Sequence, residues 1–114
     1  MSKTLPLDQR PDLQTSLEHL RVAAAIAVRK RDFLQEALAK YGEGDGKEML
    51  FYRRRHFPPQ VMAHTMLLRQ EMSIALNLAF TARPKGVHLS TIKKLREIVF
   101  TEKGLYRRRF KVVA

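Results

Sequence analysis

Two short arginine clusters flanked by aromatic residues are the most specific chemical feature of the sequence. The order Phe-Tyr-Arg-Arg-Arg-His-Phe at residues 51–57 is echoed by Leu-Tyr-Arg-Arg-Arg-Phe at residues 105–110. Guanidinium groups bind phosphate oxygens in pairs and stack on bases, and tyrosine and phenylalanine rings add stacking surfaces. Two such clusters could form opposite walls of one groove for a nucleic-acid chain. In the alternative interpretation, the aromatics anchor each segment to the core and the arginines are only solvated.

The net charge of the chain is concentrated in its carboxyl-terminal part. The formal charge is +11 and the sequence pI is about 10.6. Residues 1–46 carry seven basic and seven acidic side chains, whereas residues 47–114 carry 15 basic and four acidic ones. An excess of this size favours a polyanionic partner. We therefore expect nucleic acid as the main partner, ahead of an acidic protein or an anionic membrane surface.

A second feature is the order Gly-Val-His-Leu-Ser-Thr-Ile-Lys-Lys-Leu at residues 86–95. It resembles the entry to the recognition helix of helix-turn-helix proteins, where a Gly-Val turn precedes a capped helix with basic residues. The resemblance implies that His88, Ser90, Thr91, Lys93 and Lys94 approach a major groove or its phosphates. The preceding Arg-Pro-Lys makes the link longer than the usual three to four residues. An ordinary capped amphipathic helix is the competing interpretation.

Residues for catalysis or metal binding do not form a recognisable set. The chain has no cysteine, which excludes disulfides, thiolate metal sites and cysteine nucleophiles. His19, His56, His64 and His88 show no metal-ligand spacing. Neither paired carboxylates nor a phosphate-binding glycine loop can be assembled, because the glycine-rich residues 42–46 lack a following Lys-Ser/Thr. We expect a non-catalytic protein without cofactor or metal.

The elements that must position these residues are helices. Helical spacing of apolar residues predicts a long helix over residues 11–41, opened by Pro11 and ended by Gly42. A short helix is predicted over residues 47–52, ended by Pro58-Pro59. The next, over residues 59–82, is apolar on nearly all sides, which predicts a central helix buried by neighbours or by a partner subunit. A last helix is expected over residues 90–100.

These elements predict a mainly α protein, a small four-helix-type bundle of two long and two short helices. We assign residues 1–10 to a flexible amino-terminal segment and residues 11–104 to a single helical domain. Residues 105–114 form a basic carboxyl-terminal arm or short strand. No stretch is long and apolar enough for a secretion signal or a membrane span, so a cytoplasmic protein is expected. A homodimer through residues 59–82, or other protein subunits, are further expected partners.

The sequence thus favours a non-catalytic nucleic-acid-binding protein, such as a DNA-binding regulator with a helix-turn-helix-like carboxyl-terminal half. A small helical subunit of a ribonucleoprotein complex, ribosomal or RNA-guided, is the first alternative, and its analogy is one of size, helicity and charge. The second alternative is a basic adaptor or inhibitor that binds an acidic protein. The type of nucleic acid is undetermined. The expected contacts are Tyr52, Arg53, Arg54, Arg55, Arg83, Lys85, Lys93, Lys94, Arg96, Tyr106, Arg107, Arg108, Arg109 and Lys111.

Overall fold

The computed structural model describes residues 5–41 and 57–105. Within these ranges the chain forms two short 3-10 helices, Leu7–Gln9 and Pro11–Leu13, and then the α-helices α1 (Gln14–Tyr41), α2 (Pro59–Thr81) and α3 (Leu89–Glu102). The predicted mainly α class is confirmed, and the three longer predicted helices are present close to their predicted ends. The fourth helix, predicted over residues 47–52, lies outside the described residues. So does the predicted arm or strand from residue 106 onward.

The amino-terminal entry to α1 is held by local polar contacts. Pro11 is the first residue of the second 3-10 helix, a position whose backbone N–H has no partner within the helix, so the lack of an N–H in proline costs no hydrogen bond. The Arg10 guanidinium lies 2.6 Å from the Asp12 carboxylate, and this hydrogen bond lowers the pKa of Asp12. Gln14 Nε2 donates to the Arg10 carbonyl at 2.9 Å. The sequence predicts a flexible segment over residues 1–10; in the structure Leu7–Gln9 form a 3-10 helix, and Leu7 packs against the core.

Helix α1 is the element on which the other two helices pack. Its amino-terminal half and the 3-10 helix before it bury three leucines completely or almost completely, and α3 faces them with three apolar residues at i, i+3 and i+7. Residues with this spacing lie on one side of a helix, and burial of that side stabilises the docking of α3. The cluster comprises Leu13 of the second 3-10 helix, Leu17, Leu20 and Ala24 of α1, Ala79 of α2, and Ile92, Leu95 and Val99 of α3.

Helices α1 and α2 form an antiparallel pair with small residues in the contact. Ala24 shares one buried cluster with Ala79, and Ala23 shares the other with Ala75. Alanine side chains let two helix backbones approach closely, because little side-chain volume separates them. The Ser16 hydroxyl, which is buried, donates to the Ala79 carbonyl at 2.7 Å. The contact therefore brings the start of α1 against the end of α2.

Within the described residues, α1 and not α2 is the helix on which the other helices pack, so α2 is not buried on all sides by its neighbours in the chain. Its burial by a partner subunit stays a prediction. One side of α2 is buried on α1 through Val61, Thr65, Leu68, Ala75 and Ala79. The opposite side is open, and four large apolar residues there are about half exposed: Met66 55%, Leu67 57%, Ile74 60% and Leu78 46%. Within the described residues, therefore, α2 buries the apolar residues on one side and leaves those on the other side exposed to solvent.

Candidate nucleic-acid interface

The end of α2, the following turn and most of α3 form a stretch without acidic residues. Between Glu71 and Glu97 the chain has five basic residues and none that is negative. Four of the five, Arg83, Lys85, Lys93 and Lys94, are exposed, and Arg96 is half-buried. We call the turn over residues 82–88 together with the exposed residues of 89–96 the basic end. Its positive charge is not neutralised by carboxylates within this stretch.

The turn that opens the basic end is held by one arginine. Arg83 Nε donates to the Val87 carbonyl at 3.1 Å, and its Nη1 donates to the Phe80 carbonyl at 3.2 Å. The Val87 N–H in turn donates to the Pro84 carbonyl at 3.1 Å. Two of the five guanidinium donors are therefore used to shape the turn. The sequence analysis named Arg83 only as a phosphate contact and missed this positioning role.

Gly86 gives the turn a backbone conformation that other residues rarely adopt. Its φ is +91°, and a Cβ atom placed there would meet no heavy atom within 4 Å. Gly86→Ala should therefore cost backbone strain alone, about 1–2 kcal/mol in the free energy of unfolding. Equilibrium denaturation in urea measures this cost. The neighbouring exposed Lys85→Ala serves as the control and should change stability by less than about 0.5 kcal/mol; equal losses would contradict the strain argument.

The amino terminus of α3 is capped by a histidine. His88 Nδ1 accepts a hydrogen bond from the Ser90 N–H at 3.1 Å, and the Ser90 hydroxyl lies 3.0 Å from the same nitrogen. This acceptor role requires Nδ1 to be unprotonated, which places the ring proton of the neutral form on Nε2. His88 therefore fixes the start of α3. Its ring remains exposed.

Lys93 and Lys94 lie on the exposed side of α3, whereas Ile92, Leu95 and Val99 are buried beneath them. Burial of one side and charge on the other make α3 an amphipathic helix. The two ammonium groups follow the positive amino-terminal end of the helix, where an anion is stabilised by the helix dipole and by lysine charge together. Glu97 lies one turn further along the exposed side. The favourable surface for a phosphate therefore begins at the turn and ends near Glu97.

The turn and α3 differ from a helix-turn-helix unit in two ways. Seven residues, 82–88, separate the last residue of α2 from the first of α3, in place of the usual three to four. The buried side of α3 also packs mainly on the leucines of α1, and α2 contributes only its last turns through Leu76, Ala79 and Phe80. In this arrangement the lysine-bearing side of α3 faces solvent. The resemblance to helix-turn-helix proteins is limited to the sequence of residues 86–95.

More than half of the net charge lies outside the described residues. The described ranges carry a net +5 of the total +11, with +1 in residues 5–41 and +4 in residues 57–105. Both arginine clusters lie in the remaining residues, so the structure does not place the opposite walls of the proposed groove. The expected contacts outside the described residues are Tyr52, Arg53, Arg54, Arg55, Tyr106, Arg107, Arg108, Arg109 and Lys111.

The described part of the chain contains neither a metal-binding cluster nor a helix that could span a membrane. Residues 5–41 and 57–105 contain no group of three or more histidine, aspartate or glutamate side chains placed to hold a metal ion. None of the helices in these ranges combines the length and apolarity needed to cross a bilayer. His64 instead packs edge-on against Phe33, with 4.4 Å between ring centroids. This contact gives one of the four histidines a structural role.

Comparison with known proteins adds no relative to this description. No protein-family model matches the chain, and no curated protein or solved structure matches it significantly. Charge, exposure and geometry of the basic end are therefore the features from which a function is inferred.

Proposed function

We propose that this protein is a non-catalytic nucleic-acid-binding protein that holds a phosphate backbone with its basic end. The observation that carries the proposal is the absence of any acidic residue between Glu71 and Glu97, combined with the exposure of Arg83, Lys85, Lys93 and Lys94. Four exposed cations without interspersed carboxylates present one sign of charge to a partner. A surface that only aids solubility usually mixes both signs.

The proposed contact is to phosphate and not to base edges. The long link before α3 and the packing of α3 on α1 depart from the arrangement that inserts a recognition helix into a major groove. Lysine ammonium groups act as point charges without the fixed geometry that reads a base. We therefore expect modest discrimination between sequences and a strong dependence of affinity on salt. We further propose that the two arginine clusters, at residues 53–55 and 107–109, add phosphate contacts to those of the basic end.

The test is a titration of duplex DNA, single-stranded DNA and RNA, followed by fluorescence anisotropy across a salt series. The double variant Lys93→Ala/Lys94→Ala should bind about tenfold more weakly at moderate salt. The slope of log affinity against log salt should become shallower by roughly 1.8, because two fewer counterions are released. The matched control is Arg21→Ala/Arg29→Ala, which removes two exposed charges from α1, where three acidic residues are interspersed with the basic ones. An unchanged slope in the lysine variant, or an equal loss in the control, would refute the proposal.

Two further variants test the arginine clusters. Replacement of Arg53–Arg55 by alanine, and separately of Arg107–Arg109, should each lower the affinity and flatten the salt slope beyond the effect of the lysine pair. Tightest binding to duplex DNA would favour a DNA-binding regulator, and tightest binding to RNA would favour a ribonucleoprotein subunit. Binding of an acidic protein, with no nucleic acid bound by any of the three probes, would instead support the adaptor alternative.

A further inference from the structure

The open side of α2 runs the length of the helix and carries no charge along its centre. From Ala63 to Thr81, every residue that points away from α1 is exposed. We call this surface the open face. Its central positions repeat in a heptad pattern, with Ala63, Leu67, Gln70, Ile74, Asn77 and Thr81 along the middle and Met66, Ser73 and Leu78 beside them.

The shape of the open face suits a facing helix. Met66, Arg69, Gln70 and Ser73, spaced i, i+3, i+4 and i+7, surround a depression of about 490 Å³ that Ile74 also borders. In packing of the knobs-into-holes type, four residues with this spacing receive one side chain of the neighbouring helix. The four large apolar side chains leave on the order of 400 Å² of nonpolar surface open, which is within the range of the largest patches on monomers.

We propose that a second copy of this chain covers the open face, with the two α2 helices parallel and in register. Gln70 and Asn77 lie in the middle of the face, and a side-chain amide both donates and accepts. In this register each amide side chain contacts the same residue of the second copy, and Leu67 and Ile74 also contact the same residues of the second copy. Antiparallel pairing that joins Leu67 to Ile74 would instead bring Gln70 against Glu71. The in-register arrangement therefore matches apolar with apolar and amide with amide.

The charges beside the open face favour the same orientation. Arg69 and Glu71 are two residues apart, which is roughly 200° around a helix, so they flank the face on opposite sides. A parallel two-fold axis places each Arg69 on the same side as Glu71 of the second copy. An antiparallel axis places like charges side by side. Exposed pairs of this kind contribute little to affinity but select between orientations.

The interface is small, so the dimer should be weak. Two open faces together bury roughly 1,000 Å², near the lower limit of specific interfaces. In the parallel arrangement both basic ends lie at the same end of the dimer, where their like charges repel. Added salt screens this repulsion and should strengthen the dimer, whereas it weakens nucleic-acid binding. The dimer does not depend on the proposed function, and the opposite salt effects separate the two.

The oligomeric state of the full chain without nucleic acid tests the proposal. Sedimentation equilibrium of the 13.2 kDa chain should show a concentration-dependent shift toward twice this mass, more complete at higher salt. Ile74→Glu should weaken association at least about tenfold, because it places a charge in the centre of the face. The control is Val22→Glu, which changes an apolar residue with 52% exposure on α1 and should leave association unchanged.

Single cysteines determine the orientation, since the natural chain contains none. Ala63→Cys and Thr81→Cys, at opposite ends of the open face, should each form disulfide-linked dimers alone under mild oxidation. Ala25→Cys, on the exposed side of α1, is the control and should not. Disulfides that form only when the first two variants are mixed would overturn the parallel arrangement. A wild-type chain that stays monomeric would also overturn the proposal. If, in addition, Ile74→Glu lowers the stability of this monomer more than Val22→Glu does, another part of the same chain covers the open face.

Discussion

Leu95→Ala should lower the free energy of unfolding by about 3 kcal/mol, the largest single effect that the structure predicts. Leu95 has 0% exposure and lies in the middle of the apolar side of α3. It belongs to the cluster that joins α3 to Leu17 and Leu20 of α1 and to Leu13 of the preceding 3-10 helix. Removal of its terminal methyl groups loses burial free energy and leaves a cavity that packed neighbours on two helices cannot fill.

Guanidinium or urea denaturation followed by far-ultraviolet circular dichroism measures this loss. The matched control is Leu89→Ala, the same substitution on the same helix at a residue with 42% exposure. This control should cost less than about 1 kcal/mol, because most of the removed surface is already in contact with water. Equal losses for the two variants would mean that α3 does not dock on α1 through its buried side.

Ser16→Ala should destabilise the protein by about 2 kcal/mol, although it removes a single oxygen atom. The Ser16 hydroxyl is 2.7 Å from the Ala79 carbonyl, and the residue has 1% exposure. In an α-helix that continued, the Arg83 N–H would donate to this carbonyl, but it donates to Phe80 at 3.3 Å instead. The hydroxyl of α1 therefore serves the last turn of α2. Without it, a buried carbonyl loses a hydrogen-bond donor.

The comparison variant is Thr81→Ala. Thr81 Oγ1 also donates to a backbone carbonyl, that of Asn77 at 2.8 Å, but this bond is exposed and water can replace it. Its loss should therefore change the free energy of unfolding by less than about 0.5 kcal/mol. A thermal or chemical unfolding series on both variants provides the measurement. If Ser16→Ala costs no more than Thr81→Ala, the Ala79 carbonyl does not depend on the hydroxyl.

Helix ends could be predicted from the sequence because they depend on local chemistry. Pro11 and Pro59 lack a backbone N–H and therefore suit first turns, and the structure begins helical segments at both. The buried side of α3 was also predictable, since Ile92, Leu95 and Val99 stand against a lysine-bearing side. One helix side is then clearly apolar and the other clearly charged.

The side of α2 that packs on α1 could not be predicted. Its apolar residues surround almost the whole helix, so the sequence pattern does not indicate a direction. Leu68 is buried and Leu67 is exposed because of where α1 packs on α2, and the pattern of α2 alone does not distinguish these two leucines. The hydrogen bonds of Ser16 and Arg83 could not be predicted either, because each side chain bonds to a backbone carbonyl that comes within reach only when the chain folds. The basic residues of the basic end, in contrast, were all among the contacts expected from the sequence: Arg83, Lys85, Lys93 and Lys94, with Arg96 beside them.

The central position of α1 has a consequence for the order in which this chain can fold during synthesis. The leucines at positions 13, 17 and 20 leave the ribosome about 75 residues before the residues of α3 that cover them. Until then, among the described residues, Leu7, the end of α2 and the turn after it are available to shield these leucines from water. A nascent chain would therefore present this leucine row to chaperones, and its amino-terminal region would close last.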